Sequence, residues 1–424
     1  MTFARLSTLS IIALFSSSPA FATDGYFALS YSVKSQGMGG VGIALPQDGL
    51  AAATNPAGSA FVEDRADVGL TWFSPDRHAT ITGNGAGADG TYSGNGKRNF
   101  YIPELGYVRQ VSPSTTVGLA IYANGGMNTE YNDNPYAAFG STGKAGVNLE
   151  QLFISPSLAY RLNEHHAVGI ALNFAYQKFS AQGLGAFAQT GAQQVSVAPD
   201  NVTNQGNDSS TGWGVRLGWT GQITPELTLG AAWTSKTNMG NFDKYRGLFA
   251  GNGGFDIPES YGLGLAYKLT PVWTVAADVT EIKYSDIDSV ANPLSNLTVQ
   301  GNPLGSANGP GFGWRDVTVY KLGVSYDYSP DLTLRAGYNH SGQPIPADQT
   351  FFNILAPGVV QDHLTVGATW KVFGNGELSL AYAHVFEETV NGSNSIPANF
   401  GGGNANLTMS EDSLGVAYGW KFQL

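Results

Sequence analysis

Large apolar residues occupy every second position at the end of this chain: Leu414, Val416, Tyr418, Trp420, Phe422 and Leu424, with small or polar residues between them. Successive side chains of a strand point to opposite faces, so such a segment has one apolar face and one polar face. The same alternation runs through Val117-Leu119-Ile121, Val168-Ile170-Leu172-Phe174-Tyr176, Trp213-Val215-Leu217-Trp219 and Tyr320-Leu322-Val324-Tyr326-Tyr328. Counted along the chain, the pattern predicts fourteen strands between residues 67 and 424, the third of them over 115–124. Short turns at Ser112-Pro113, Asn163-Glu164, Thr224-Pro225, Thr270-Pro271, Ser329-Pro330 and Gly374-Asn375-Gly376 alternate with long Gly/Asn/Ser-rich loops, the largest near 182–210 and 285–314.

An even number of strands of about ten residues, aromatic strand ends, and short turns opposite long loops describe an antiparallel transmembrane β-barrel. Closure leaves no unpaired edge, which hydrocarbon would not tolerate. A soluble two-sheet protein is the alternative. It would have to hide Trp and Tyr at one strand end after another, and it leaves the alternating loop lengths unexplained. In a barrel, a charge at an outward position such as Val168 is expected to disfavour folding, and inward positions such as Gly323 to tolerate polar change.

The N-terminus places the barrel. Arg5, the apolar run Leu9 to Phe15 and Ala20-Phe21-Ala22 make a secretory signal over residues 1–22, with cleavage expected after Ala22. Export to the Gram-negative outer membrane follows. The chain has no cysteine, so no disulfide supports it. Its 56 Gly, 22 Phe, 20 Tyr and 8 Trp, with 12% charged residues, suit a surface facing hydrocarbon. The net charge of −11 argues against nucleic acid as a partner. Residues 23–66 lack strand alternation and carry Phe27, Leu29, Tyr31, Val33, Ile43, Leu45 and Leu50. They are expected to fold back into the barrel as a hatch, with the barrel itself spanning 67–424.

Signs of catalysis are absent from the sequence. The histidines at 78, 165, 166, 340, 363 and 384 show no HExxH spacing, and there is no G-x-S-x-G elbow. Gly37-x-Gly39-x-x-Gly42 matches a dinucleotide fingerprint, with Glu63 about twenty residues on, but no βαβ unit surrounds it. No cofactor and no metal site are expected. An outer-membrane lipase or protease with dispersed catalytic residues stays open as an alternative.

Gly37-Met38-Gly39-Gly40-Val41-Gly42-Ile43-Ala44 followed by Thr54-Asn55-Pro56-Ala57-Gly58 resembles the hatch signature of the FadL/TodX family of outer-membrane transporters for long-chain fatty acids and other hydrophobic compounds. The likeness continues through Glu130-Tyr131-Asn132-Asp133, Ile257-Pro258-Glu259, Trp314-Arg315-Asp316 and Pro344-Ile345-Pro346. It implies a fourteen-stranded barrel with a hatch containing Asn55, Pro56, Ala57 and Gly58. It also implies passive uptake of hydrophobic small molecules by capture in a lumenal pocket, and release into the bilayer through a wall opening at a third-strand kink. Here the kink falls at Asn124, Gly125 and Gly126. By the same resemblance Tyr26 and Phe27 contribute to the ligand pocket, and basic residues receive a ligand head group. Lys178 and Arg315 are the candidates, although alternation puts Lys178 in phase with Phe174 and Tyr176. The partners implied are the ligand, outer-membrane lipid and lipopolysaccharide, and the barrel-assembly machinery, around a monomer. A general porin, or an aromatic or alkane hydrocarbon channel of the same fold, is the alternative. A surface-receptor role for the loops is compatible with either. One departure stands out: such barrels end in Phe, and this chain ends in Leu424.

Overall fold

The structure, a computed structural model, describes residues 23–372 and 374–422. The expected signal segment and Leu424 lie outside the described residues. Fourteen long strands form the wall: β1 Arg65–Thr82, β2 Phe100–Gln110, β3 Thr115–Tyr131, β4 Ala145–Arg161, β5 His166–Gln182, β6 Asp208–Gln222, β7 Leu227–Thr234, β8 Ser260–Thr270, β9 Trp273–Ile282, β10 Val317–Ser329, β11 Leu332–Ser341, β12 Asp362–Val372, β13 Gly376–Val390 and β14 Asn404–Lys421. Each pairs antiparallel with its sequence neighbour, and β14 closes on β1 from Arg65↔Lys421 to Thr82↔Asn404. Two shorter strands, Gly90–Ser93 and Asn238–Met239, lie in loops and pair with β1 and β6.

Alternation sets the two faces. On β5, Val168, Ile170, Leu172, Phe174 and Tyr176 are exposed, while Ala167, Ala171, Asn173, Ala175 and Gln177 are buried. The exposed side forms a continuous apolar band, with aromatic pairs such as Trp273–Tyr326 stacked at 4.3 Å. The short turns close through side-chain hydrogen bonds. Asn163 Oδ1 accepts from the amides of His165 and His166, and Thr270 Oγ1 accepts from those of Val272 and Trp273. The third strand runs to Tyr131, seven residues beyond the expected end. The long loops are folded rather than extended. Short helical turns such as Tyr284–Asp286, Asp288–Ala291 and Thr350–Asn353 bury Phe187, Phe242, Phe351 and Trp314 over one mouth of the barrel.

The chain before β1 runs through the interior. It holds one helical turn, α1 (Val33–Gln36, capped by Ser32), and two 3₁₀ turns, Ala51–Ala53 and Pro56–Phe61. Wall residues grip it from around the ring. The amide of Val33 donates to Glu104 on β2, that of Gly49 to Asp67 on β1 and that of Gly39 to Thr365 on β12. The amides of Gly42 and Ile43 both donate to Asp278 Oδ2 on β9, at 2.8 and 3.1 Å. Lys34 pairs with Glu377 on β13 at 2.5 Å, and Glu377 also receives Arg65 at 2.9 Å.

This close fit corrects one expectation. A Cβ on Gly323 would stand 2.6 Å from the Met38 carbonyl oxygen, so the position has no room for a polar side chain. At Gly337 a Cβ would lie 2.1 Å from the Gly39 nitrogen, and at Gly169 2.4 Å from that of Ala57. At these points of closest approach the lumen face of the wall is glycine.

Val168 stands two residues into β5, and Leu172 lies nearer mid-strand. Leu172→Lys is expected to destabilise the barrel by about 2–4 kcal/mol, and Tyr328→Lys beside the β10–β11 turn by about 0–1 kcal/mol. Denaturant unfolding in liposomes, followed by heat-modifiable gel mobility, measures both. Equal costs at the two depths would contradict a membrane-facing band.

Candidate functional site

β2 and β3 pair only from Leu105↔Ile121 to Gln110↔Thr116. Beyond Ile121, β3 bulges between Ala123 and Gly125 while keeping its ladder with β4. Its other edge is then taken by the inner segment. The Ala28 amide donates to the Asn124 carbonyl and the Gly126 amide to the Tyr26 carbonyl, both at 3.0 Å. Further along, the Gly96 amide donates to the Glu130 carbonyl at 2.8 Å. Among the described residues, Phe100–Glu104 of β2 therefore have no ladder partner on the β3 side, which leaves a window in the hydrogen-bonded ladder. Pro103 sits on this free edge, where proline's missing N–H is tolerated. The structure places the strand's departure at Asn124, Gly125 and Gly126. Gly125 has to be glycine, because a Cβ there would lie 1.9 Å from the Tyr26 carbonyl oxygen.

Behind the window the chain makes a tight turn from Asp24 to Phe27, with Gly25 at φ +71° packed against the Tyr284 ring. Tyr26 is fully buried. Its ring lies 5.2 Å from Tyr284, 5.9 Å from Trp314 and 6.0 Å from Phe255. Tyr284 donates to the Asp24 carbonyl and accepts from the Tyr26 amide. Burial pushes the Tyr284 phenol well above its ordinary range, so it stays a neutral donor. Ala28, Phe73, Phe100, Ile102 and Ala123 pack into one apolar cluster at the window.

Three cavities follow the interior. One of about 50 Å³ adjoins the window, lined by Tyr31, Phe73, Ile102, Tyr122 and Val385 among others. A second of about 70 Å³ meets Phe27, Tyr31 and Ile43 together with Asp24, Arg216, Asp278 and Lys321. A third of about 40 Å³ lies among the loops and is almost wholly apolar, with Leu184, Phe187, Phe249, Leu304, Phe312 and Phe352.

Asn55 is the principal tie between the inner segment and the wall. Its amide nitrogen faces the carbonyls of Ile43 (2.8 Å) and Trp219 (3.0 Å) and the Thr220 hydroxyl (3.0 Å), while its oxygen accepts from the Ala57 amide. Pro56 opens the 3₁₀ turn that Asn55 caps, and the Ala57 backbone seats against Gly169. Gly58 packs against Pro46 and Ala51.

The expected head-group residues are not brought together. Lys178 keeps the outward phase of Phe174 and Tyr176 and pairs with Glu150 on β4 at 3.1 Å. Arg315 is exposed at the end of a loop. Its neighbour Asp316 is engaged by Lys283 instead, and although burial would raise that carboxyl, the Lys283 hydrogen bond holds it below the usual carboxylate range. Of the basic groups inside the barrel, Arg216 and Lys321 line the cavity of about 70 Å³. Arg216 donates to Thr234 at 2.7 Å and Tyr122 at 3.0 Å, with its guanidinium 5.8 Å from the Tyr31 ring. Lys321 donates to the Leu29 carbonyl at 2.7 Å and lies 3.4 Å from Asp24. Both positions were visible in the alternation, between outward Val215 and Leu217 and between Tyr320 and Leu322.

Residues 13–423 match the family described as outer membrane protein transport protein (OMPP1/FadL/TodX). The long-chain fatty acid transport protein of Escherichia coli (strain K12) is 24% identical over 392 residues, covering 82% of this chain and 84% of that one. Among solved structures, a Pseudomonas aeruginosa FadL homologue superposes with a TM-score of 0.71 at 15% identity, covering 94% of this chain and all of the other. The Pseudomonas putida toluene transporter TodX gives 0.69 at 22%, with coverages of 94% and 99%. These likenesses establish the barrel fold.

Two substitutions test the contacts of the inner segment. Gly125→Val is expected to dislodge Tyr26–Ala28 and to speed amide exchange at Ala28 and Gly126 more than tenfold, with heat-modifiable mobility retained. Asn55→Ala strands the Thr220 hydroxyl and several backbone groups, and is expected to cost about 1–3 kcal/mol. Unchanged exchange in the first, or unchanged unfolding in the second, would show that these contacts do not hold the segment.

Proposed function

Because the chain belongs to the OMPP1/FadL/TodX family of outer membrane transport proteins, we propose that it carries hydrophobic small molecules inward by diffusion and releases them sideways through the window between β2 and β3. The observation that carries this reading is the exchange of partners on β3: the backbone of Tyr26–Ala28 stands where β2 would otherwise pair. A ligand that displaces Tyr26 and Phe27 from the aromatic cluster thereby also frees the inner edge of the window. The inner segment, residues 23–64, then acts as a hatch.

The route follows the greasy surfaces. The loop cavity around Phe187, Phe249 and Phe352 collects the solute. The cavity beside Phe27 and Tyr31 receives it next, with Arg216 and Lys321 placed to meet a carboxylate. The cluster of Phe73, Phe100 and Ile102 leads to the bilayer. Long-chain fatty acids fit this combination of an apolar path and two lumenal cations. A neutral aromatic hydrocarbon uses the same path without the cations. A general porin fits less well, since the lumen is occupied by a segment bound to strand after strand.

The absence of native cysteine makes a direct test simple. Ile102→Cys with Ala123→Cys places two thiols in the cluster that fills the window. Oxidation is expected to reduce uptake of a labelled fatty acid at least tenfold, and reduction to restore it. Uptake at the original rate in verified cross-linked protein would exclude sideways release. In parallel, Arg216→Met and Lys321→Met together are expected to weaken oleate binding about tenfold or more while leaving toluene binding within twofold. Lys178→Met serves as the control, with oleate binding expected to stay within twofold of wild type.

A further inference from the structure

Glu411 has no place in the passage just described. It sits on β14, 1% exposed, and neither carboxylate oxygen has a hydrogen-bond partner among the described residues. A buried carboxylate without donors is unstable in either protonation state, because ionised it lacks a counter-charge and neutral it leaves a donor and an acceptor unmet. The nearest strand neighbour with a cation is β1, where Glu411 stands opposite Pro75 and Arg77 opposite Met409. The Arg77 terminal nitrogens are committed to Asn128 and to the Lys97 carbonyl, and its Nε is unpartnered. Of the acidic groups close by, Asp24 leans on Lys321 and Asp412 on His384, while Glu104 lines the same cavity and accepts from the Val33 amide.

Glu411 shares the cavity of about 50 Å³ with Thr23. Thr23 is 5% exposed and is held in place, its hydroxyl donating to the Phe27 carbonyl at 2.6 Å. Thr23 is also the residue that follows the export signature Ala20-Phe21-Ala22.

We propose that the counter-ion of Glu411 is the α-ammonium of Thr23, created when the export segment is removed. Water adds across the Ala22–Thr23 peptide bond; Ala22 leaves with the carboxylate, and Thr23 keeps an amine that is protonated at neutral pH. An uncharged amide with one N–H becomes a cation with three donors on the cavity that the Glu411 carboxylate also lines. Processing thus completes the lumen and fixes the start of the turn that seats Tyr26 against Gly125. The inference rests on the cleavage position and is independent of what is transported.

The test measures the amine itself. Mature protein beginning at Thr23 is folded in detergent and treated near neutral pH with an amine-acylating reagent, and modification of the N-terminal peptide is followed by mass spectrometry. The Glu411→Gln variant, which keeps shape and burial but removes the charge, is expected to react at least tenfold faster than the parent. A single Gly inserted before Thr23 keeps Glu411 but moves the amine away, and is expected to accelerate reaction similarly. It decides the matter if Glu411→Gln does not fold. Equal rates in folded parent and variants would overturn the proposal and assign Glu411 to Arg77. So would a mature chain from membranes that starts at a residue other than Thr23.

Discussion

A barrel wall can be interrupted only if the backbone groups freed by the break find other partners, because neither hydrocarbon nor a dry interior will solvate them. In this protein the inner segment supplies those partners. Ala28 and Tyr26 replace β2 along the bulged stretch of β3, and Gly125 allows the two backbones to meet. The window, the aromatic cluster behind it and the cavities on either side all depend on that substitution. Without the segment, β3 would have a raw edge; without the bulge, Tyr26 would have nowhere to attach.

The same economy governs the rest of the lumen. The inner segment touches the wall at glycines, packs small apolar clusters such as Met38, Val41 and Ala44 against Ala266 and Ala276, and makes hydrogen bonds to Glu104, Asp67, Thr365, Asp278 and Thr220. Hydrogen bonds of this kind exchange readily with water, and each has a modest net strength. Apolar packing of similar extent would resist separation more strongly, since parting it exposes surface that water does not compensate. The parts of the inner segment are held differently: Asn55 anchors the stretch before β1, the Lys34–Glu377–Arg65 network the helical turn, and aromatic packing the distal tip.

Much of this was legible in the residues. Period-two alternation located fourteen strands and told inside from outside, because a barrel wall has only two faces. It missed the upper part of β3, where Asn124-Gly125-Gly126-Met127-Asn128 are buried on both sides and no longer alternate. It could not foresee that Gly323 is a socket, since a glycine in a strand looks the same whether it faces open space or a carbonyl. The two basic residues expected to meet a head group are a different case. Family likeness drew attention to Lys178 and Arg315, whereas the pattern itself had already put Lys178 on the outer face and Arg216 on the inner. The folded loops escaped notice because their aromatics pair across long stretches of chain, as Tyr136 does with Phe351.

The height of the wall has a consequence for the journey a solute makes. A tilted strand of about ten residues crosses the hydrocarbon, yet β1 and β14 have 18 residues each and β3, β4 and β5 have 17. At 3.3 Å per residue and a tilt near 45°, the surplus lifts the tall side of the barrel roughly 15–20 Å above the acyl chains. The loop aromatics crown the extension, so the apolar interior of the protein continues well above the hydrocarbon and ends beneath a folded aromatic cap.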